Sequence, residues 1–259
     1  MKQFWTSPSF SKVTAHPQAK RIFRRAFELA GTGRLPIGSV VLDIGGGVGS
    51  AGEVLRAAHP RKLFKYVNLE VDPRLLAKKS FAERVRNSWF SPKWLKKKLQ
   101  GVVQLKVKAD RAQLPFASSS MDLAIYAFPA ASFLPDSKPH EKLIDRHFLP
   151  LIESLRALKP GRRVIIIRRS TEEDLTTNAE MVRDFVSSLR VGKEVALEIT
   201  PTPKELYKEF VRHNPGSVPS HLCVQVIEKT SSSERDESLS DIASISRKVV
   251  SRALEENEE

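Results

Sequence analysis

The chain has 259 residues, 41% of them hydrophobic and 28% charged, a length and balance suited to one globular core with appendages. Its net charge of +13 is unevenly placed: eleven Lys and Arg face two acids between Lys78 and Ala112, whereas Thr230–Glu259 holds four bases and eight acids. No apolar run approaches the roughly 20 residues that cross a bilayer, and the one cysteine, Cys223, excludes an intrachain disulfide framework and a cysteine-rich zinc site.

The first 27 residues contain no acid and several Ser and Thr, and no apolar stretch follows Lys2. That argues against a secretory signal. The expected location is cytoplasmic, with organelle import through this basic start as the alternative. From Pro17 to Ala30, Ile22, Phe23, Ala26, Phe27 and Ala30 fall at three- and four-residue spacings, which predicts a helix with one apolar face and its arginines opposite. Residues 1–38 are therefore read as an N-terminal helical lid.

Beyond Gly38, β-branched and apolar runs alternate with helical patterns. Strands are predicted at Ser39–Ile44, Phe64–Glu70, Val102–Val107, Met121–Ala127, Arg162–Ile167, Glu194–Thr200 and Leu222–Glu228. Helices are predicted at Ser50–Ala58, Pro73–Val85, Glu141–Leu158, Thr177–Leu189 and Lys204–His213. The first four strands lack the polar alternation of a half-exposed sheet, so both of their faces should be covered. The expected fold is α/β: a Rossmann-like, seven-stranded, mostly parallel sheet with helices on both faces, spanning residues 39–230. Cys223 lies in its last apolar run and reads as a small core residue. A basic insertion occupies 78–100. From Ser231 to Glu259 an acidic tail carries Leu239, Ile242, Ile245, Val249 and Leu254 at amphipathic spacing.

The segment Val40-Val41-Leu42-Asp43-Ile44-Gly45-Gly46-Gly47-Val48-Gly49 runs a buried strand into a glycine-rich turn and a helix. Such a turn lets a ligand approach backbone that carries no Cβ atoms, with helix N–H groups aimed at it. Gly47-Val48-Gly49-Ser50-Ala51-Gly52 also satisfies the G-x-G-x-x-G pattern of dinucleotide-binding proteins. Asp43, two residues before the first glycine, argues the other way, because a pyrophosphate would meet its charge. Two further runs are informative: Ala109-Asp110-Arg111-Ala112-Gln113-Leu114-Pro115-Phe116 after the third strand and Leu155-Arg156-Ala157-Leu158-Lys159-Pro160-Gly161 before the fifth.

In their order these runs resemble the class I S-adenosylmethionine-dependent methyltransferases, in particular the ubiquinone-biosynthesis-type branch, over Ser39–Arg168. The resemblance implies that Asp43 and the backbone of Gly45, Gly46 and Gly47, with Gly49 closing the turn, hold the methionine part of S-adenosylmethionine. It implies that Glu70, followed by Val71, accepts from both ribose hydroxyls, that Asp110 accepts from the adenine amino group, and that the Arg111 backbone N–H reads the ring. Glu70 is preferred to Asp72 because Asp72-Pro73 suits an N-cap and first helical residue. Singly, the three acids read equally well as a turn carboxylate, a solvated strand end and an Asx-turn residue. The chain departs from the family at Arg162, where a second glycine is usual, and at Met121, where phenylalanine is common.

The implied function is methyl transfer to an acceptor the sequence does not identify, a small molecule or an RNA or protein. The alternative is a noncatalytic binding or assembly module on the same fold, and a nicotinamide-dependent oxidoreductase is a third reading. The loop Tyr126–His140 is apolar and proline-containing, with Tyr126, Asp136 and His140 as catalytic candidates; its ordinary reading is a packed surface loop. Lys78–Lys98 interleaves eight basic residues with Phe81, Trp89, Phe90 and Trp94, which suits RNA or an anionic surface as well as a solvated helix. No metal site is expected.

Overall fold

The structure, a computed structural model, describes residues 16–46, 49–70, 103–108, 114–127, 148–213 and 220–230. Its elements follow the sequence pattern: α1 (Pro17–Leu29), β1 (Val40–Ile44), α2 (Ser50–Ala58), β2 (Lys65–Glu70), β3 (Val103–Lys108), β4 (Met121–Ala127), α3 (Leu149–Ala157), β5 (Leu158–Ser170), α4 (Glu172–Ser188), β6 (Gly192–Pro201), α5 (Lys204–His213) and β7 (His221–Lys229). One sheet has the order β3-β2-β1-β4-β5-β7-β6. Strands β1 to β5 pair in parallel, and β7 runs antiparallel to both of its neighbours. This is the expected seven-stranded, mostly parallel sheet. The predicted helix Pro73–Val85, the interval 78–100 and the tail from Ser231 lie outside the described residues.

Successive strand residues point to opposite faces, and both faces are buried in the central strands β1, β4 and β5. The third strand departs from the expectation of two covered faces, with Leu105 54% exposed, because it lies at the edge of the sheet. On one face Leu42, Ile44, Ala124, Val164 and Ile166 pack under Leu151 and Leu155 of α3 and Val182, Phe185 and Val186 of α4. On the other, Val41, Tyr66, Leu123, Ile125 and Ile165 meet Phe23 and Phe27 of α1, Val54 and Leu55 of α2, and Leu206 and Phe210 of α5. The N-terminal helix is thus part of a core layer, and Cys223 is buried as its apolar run implies.

Two boundaries differ from the sequence reading. Leu158-Lys159-Pro160-Gly161, expected as the turn into the fifth strand, belongs to β5 itself. The pairing with β4 jumps from Met121↔Leu158 to Leu123↔Arg163, so the intervening residues bulge, with Gly161 at φ 69°. Asp122 explains why the bulge is stable: Lys159 Nζ donates to its Oδ1 at 2.9 Å, and Val40 N–H donates to its Oδ2 at 2.9 Å. The fourth helix begins at Glu172 rather than Thr177 because Thr171 caps it, its hydroxyl accepting from Asp174 N–H at 3.2 Å, with three acids in the first turn favoured by the helix dipole.

A buried polar network ties β5, β7, β6 and α4 together. Arg168 donates to Gln225 Oε1, and Gln225 Nε2 donates to the Ala179 carbonyl (2.9 Å) and to Glu194 Oε2 (2.6 Å). Arg183 pairs with Glu194 at 3.2 Å. Burial lowers the pKa of the Arg168 guanidinium from its ordinary value.

The link between α1 and β1 is clamped to the end of α2. The Thr32 hydroxyl donates to the Phe27 carbonyl at 3.1 Å, which makes His59 Nε2, 2.8 Å away, the donor to Thr32. Lys62 Nζ donates to the carbonyls of Gly33 and Leu35 at 2.5 and 2.6 Å. Burial first, and the Lys62 charge second, lower the pKa of His59 below its ordinary 6.5.

Two outcomes follow. Asp122→Ala removes an acceptor shared by a strand N–H and an ammonium, and urea unfolding should show a loss of about 1–3 kcal/mol. Folded His59 binds its proton less readily than the unfolded chain, so stability present above pH 6.5 is lost as pH falls through the lowered folded value. The urea midpoint of the wild type should therefore drop more on acidification through this window than that of His59→Gln.

Candidate functional site

Strand order reverses between β1 and β4, since β2 lies on one side of β1 and β4 on the other. In sheets of this kind ligands sit at the carboxyl ends of the strands at that point. The glycine turn occupies it. Gly45, at φ 68°, donates its N–H to the Leu69 carbonyl at 2.8 Å, which carries the chain off β1 toward β2. Gly49, at φ 81°, donates to the Gly46 carbonyl at 2.8 Å and stands at the N-cap of α2, which no side chain caps. Both left-handed positions favour glycine. The helix N-terminus thus faces the carboxyl edge with its dipole.

Asp43 pairs in register with Asn68, and the two side chains share one face of the sheet with Tyr66. The Tyr66 hydroxyl donates to Asp43 Oδ2, and the Gly52 backbone hydrogen-bonds the same hydroxyl. Burial first, and the Asp43 charge second, hold the Tyr66 phenol well above its ordinary pKa of 10, so it remains a proton donor to the carboxylate. A Cβ on Gly46 would run into the Asp43 carboxylate and lie 2.7 Å from Asn68 Oδ1. A Cβ on Gly52 would lie 2.7 Å from the Tyr66 ring. Gly46 is therefore fixed by the carboxylate beneath it, and Gly52 by the close approach of α2 to β2 through that ring.

Of the residues singled out in the sequence, Asp43, Gly45, Gly46 and Gly49 come together here. Asp43, only 1% exposed, lies beneath the turn, where its charge acts on the loop and on whatever the loop holds. Glu70 ends β2 at the same carboxyl edge, its backbone in register with Lys108. Tyr126 is buried in the core on the opposite face of the sheet. Gly47, Val71, Asp110, Arg111, Asp136 and His140 lie outside the described residues. Tyr66 and Asn68 were missed. Their signal was the alternation of Tyr66 and Asn68 with Val67 and Leu69 in β2, which the reading of the first four strands as lacking polar alternation passed over and which puts the two on one face.

No protein-family model and no curated protein sequence matches the chain. Solved structures share its fold. A Listeria monocytogenes protein assigned to the class I S-adenosylmethionine-dependent methyltransferases is similar at a TM-score of 0.54 and 14% identity, over 92% of this chain and 70% of that one. The cyclase SpnF gives 0.52 at 18% identity over 82% of each chain. The N-methyltransferase NodS from Bradyrhizobium japonicum WM9, solved in complex with S-adenosyl-L-homocysteine, gives 0.51 at 12% identity over 87% of this chain and 94% of that one. What is shared at these identities is the class I methyltransferase fold.

The Tyr66 contacts can be tested one at a time. Tyr66→Phe keeps the ring against Gly52 and removes the donor to a buried carboxylate, which should lower stability by about 1–3 kcal/mol in urea unfolding. Gly52→Ala should lower it by about 1–3 kcal/mol through overpacking. Their effects should not add, because both act on one ring.

Proposed function

We propose that this chain binds S-adenosylmethionine over the Gly45–Gly49 turn and transfers its methyl group to an acceptor that is a small molecule, an RNA or a protein. The observation that carries the reading is the Asp43 carboxylate held against Gly46 by Tyr66. A negative charge locked under the turn favours a ligand whose nearest group is cationic, such as an ammonium or sulfonium, and opposes a pyrophosphate. The third glycine of the G-x-G-x-x-G pattern, Gly52, serves the close packing of α2 on the Tyr66 ring, a role it would have with either ligand. The likeness in fold to methyltransferases supports the same reading.

The cofactor supplies a methyl group already activated on sulfur, so the chain's part is to hold, align and exclude water. Gly45 and Gly49 set the turn, the N-terminus of α2 presents its N–H groups, and Asp43 orients the loop from below. Glu70 is assigned to the ribose hydroxyls, and Asp110 with the Arg111 backbone to adenine, on the order of the motifs. That order also supports kinship with the ubiquinone-biosynthesis-type branch. The acceptor is assigned to the side of β4 and β5, next to the loop that follows Tyr126, and Lys78–Lys98 to contact with RNA or an anionic surface. Among the described residues no helix is long and apolar enough to cross a membrane.

Calorimetry tests the assignment. S-adenosylmethionine and S-adenosylhomocysteine should bind with dissociation constants on the order of micromolar, weakened about tenfold to a hundredfold in Asp43→Ala and in Glu70→Ala. Heat from a nicotinamide dinucleotide, with none from either adenosyl ligand, would overturn it.

A further inference from the structure

At the opposite edge of the sheet from the glycine turn, the chain presents two aliphatic side chains in two segments whose charged residues are all cations. Ile37 is 72% exposed and Leu63 57%, the two largest exposures among the described large hydrophobic side chains. They belong to separate segments that are fastened side by side. Gly38 N–H donates to the Leu63 carbonyl at 2.7 Å, and Lys65 N–H donates to the Ser39 carbonyl at 2.9 Å. Lys62 and the Thr32–His59 bond hold the same segments from behind. The pair is therefore a fixed feature, with Leu35 and Phe64 buried beneath it.

The charged residues of these two segments are of one sign. Residues 31–39 and 59–65 contain Arg34, Arg61, Lys62 and Lys65 and no acid. Arg34, Arg61 and Lys65 are exposed, and among the described residues no carboxylate pairs with any of them.

We infer that this edge is a docking surface for an anionic lipid bilayer, the aliphatic pair entering the interfacial layer while Arg34, Arg61 and Lys65 meet the headgroups. Aliphatic protrusions beside cations match the two layers of a membrane surface, apolar below and anionic above. Nucleic acid is the weaker match because single strands bind on aromatic platforms, and the exposed apolar groups here are not aromatic. The surface is small, so attachment is reversible and salt-dependent. It would leave the glycine turn facing water, and the inference does not depend on the methyl-transfer reading.

The test is cosedimentation of the full chain with phosphatidylcholine vesicles, with and without phosphatidylserine, alongside binding to a single-stranded RNA oligonucleotide. The expected result is binding to the phosphatidylserine vesicles alone, weakened by salt. It should fall about tenfold or more both in Ile37→Asp/Leu63→Asp and in Arg61→Glu/Lys65→Glu. All four side chains are exposed, so melting temperatures should match the wild type, which separates lost docking from lost folding. Vesicle binding that is unchanged in both variants would overturn the inference by locating the contact elsewhere. So would an absence of vesicle binding, with or without RNA binding that Arg61→Glu/Lys65→Glu abolishes.

Discussion

The hydrogen bond from Tyr66 to Asp43 is the contact around which the glycine turn is arranged. A carboxylate that is buried needs donors, and a phenol held protonated by its own burial supplies one across the β1–β2 pair. Because the carboxylate then occupies the space under the turn, the backbone above it must lack a Cβ at Gly46. Because the phenol needs its ring under α2, the helix must lack one at Gly52. Two of the glycines thus answer to packing, while Gly45 and Gly49 answer to left-handed backbone. One polar contact accounts for the close approach at Gly46 and for that at Gly52.

Most of the fold was legible because the central strands are buried on both faces. Val164 through Ile167 is a continuous apolar run, and Val41, Leu42 and Ile44 are interrupted by Asp43 alone, as expected of strands covered on both faces. The strand ends were less legible, since Lys159-Pro160-Gly161-Arg162 looks like a turn until Asp122, distant in sequence, is seen to fasten it. The start of α4 carried its own signal in Thr171 and the acids after it, which periodicity alone passed over. At the site, glycine spacing located the turn but left Gly52 as a match to a second motif with no structural role of its own. The reason for Gly52 lies in Tyr66, on another strand, and no local pattern contains it.

The fold by itself leaves the chemistry open. Among the chains that share it, one is named a cyclase and another an N-methyltransferase, so the same sheet carries different reactions. What separates them must be in the residues at the carboxyl edge. Here those are a locked carboxylate, an uncapped helix and a strand ending in Glu70.

Asp122 has a consequence for how the chain comes to be made. Its carboxylate satisfies the Val40 N–H across 82 positions and binds Lys159 across 37, so the first strand of the sheet is not secured at its start until the fourth has emerged. The strand that covers the far side of β5 is the last of those described. During synthesis, then, Val164 to Ile167 present an open, strongly apolar edge until β7 arrives, and contacts this distant form slowly. A ribosome that stalls before His221 would release a chain with its most aggregation-prone strand uncovered.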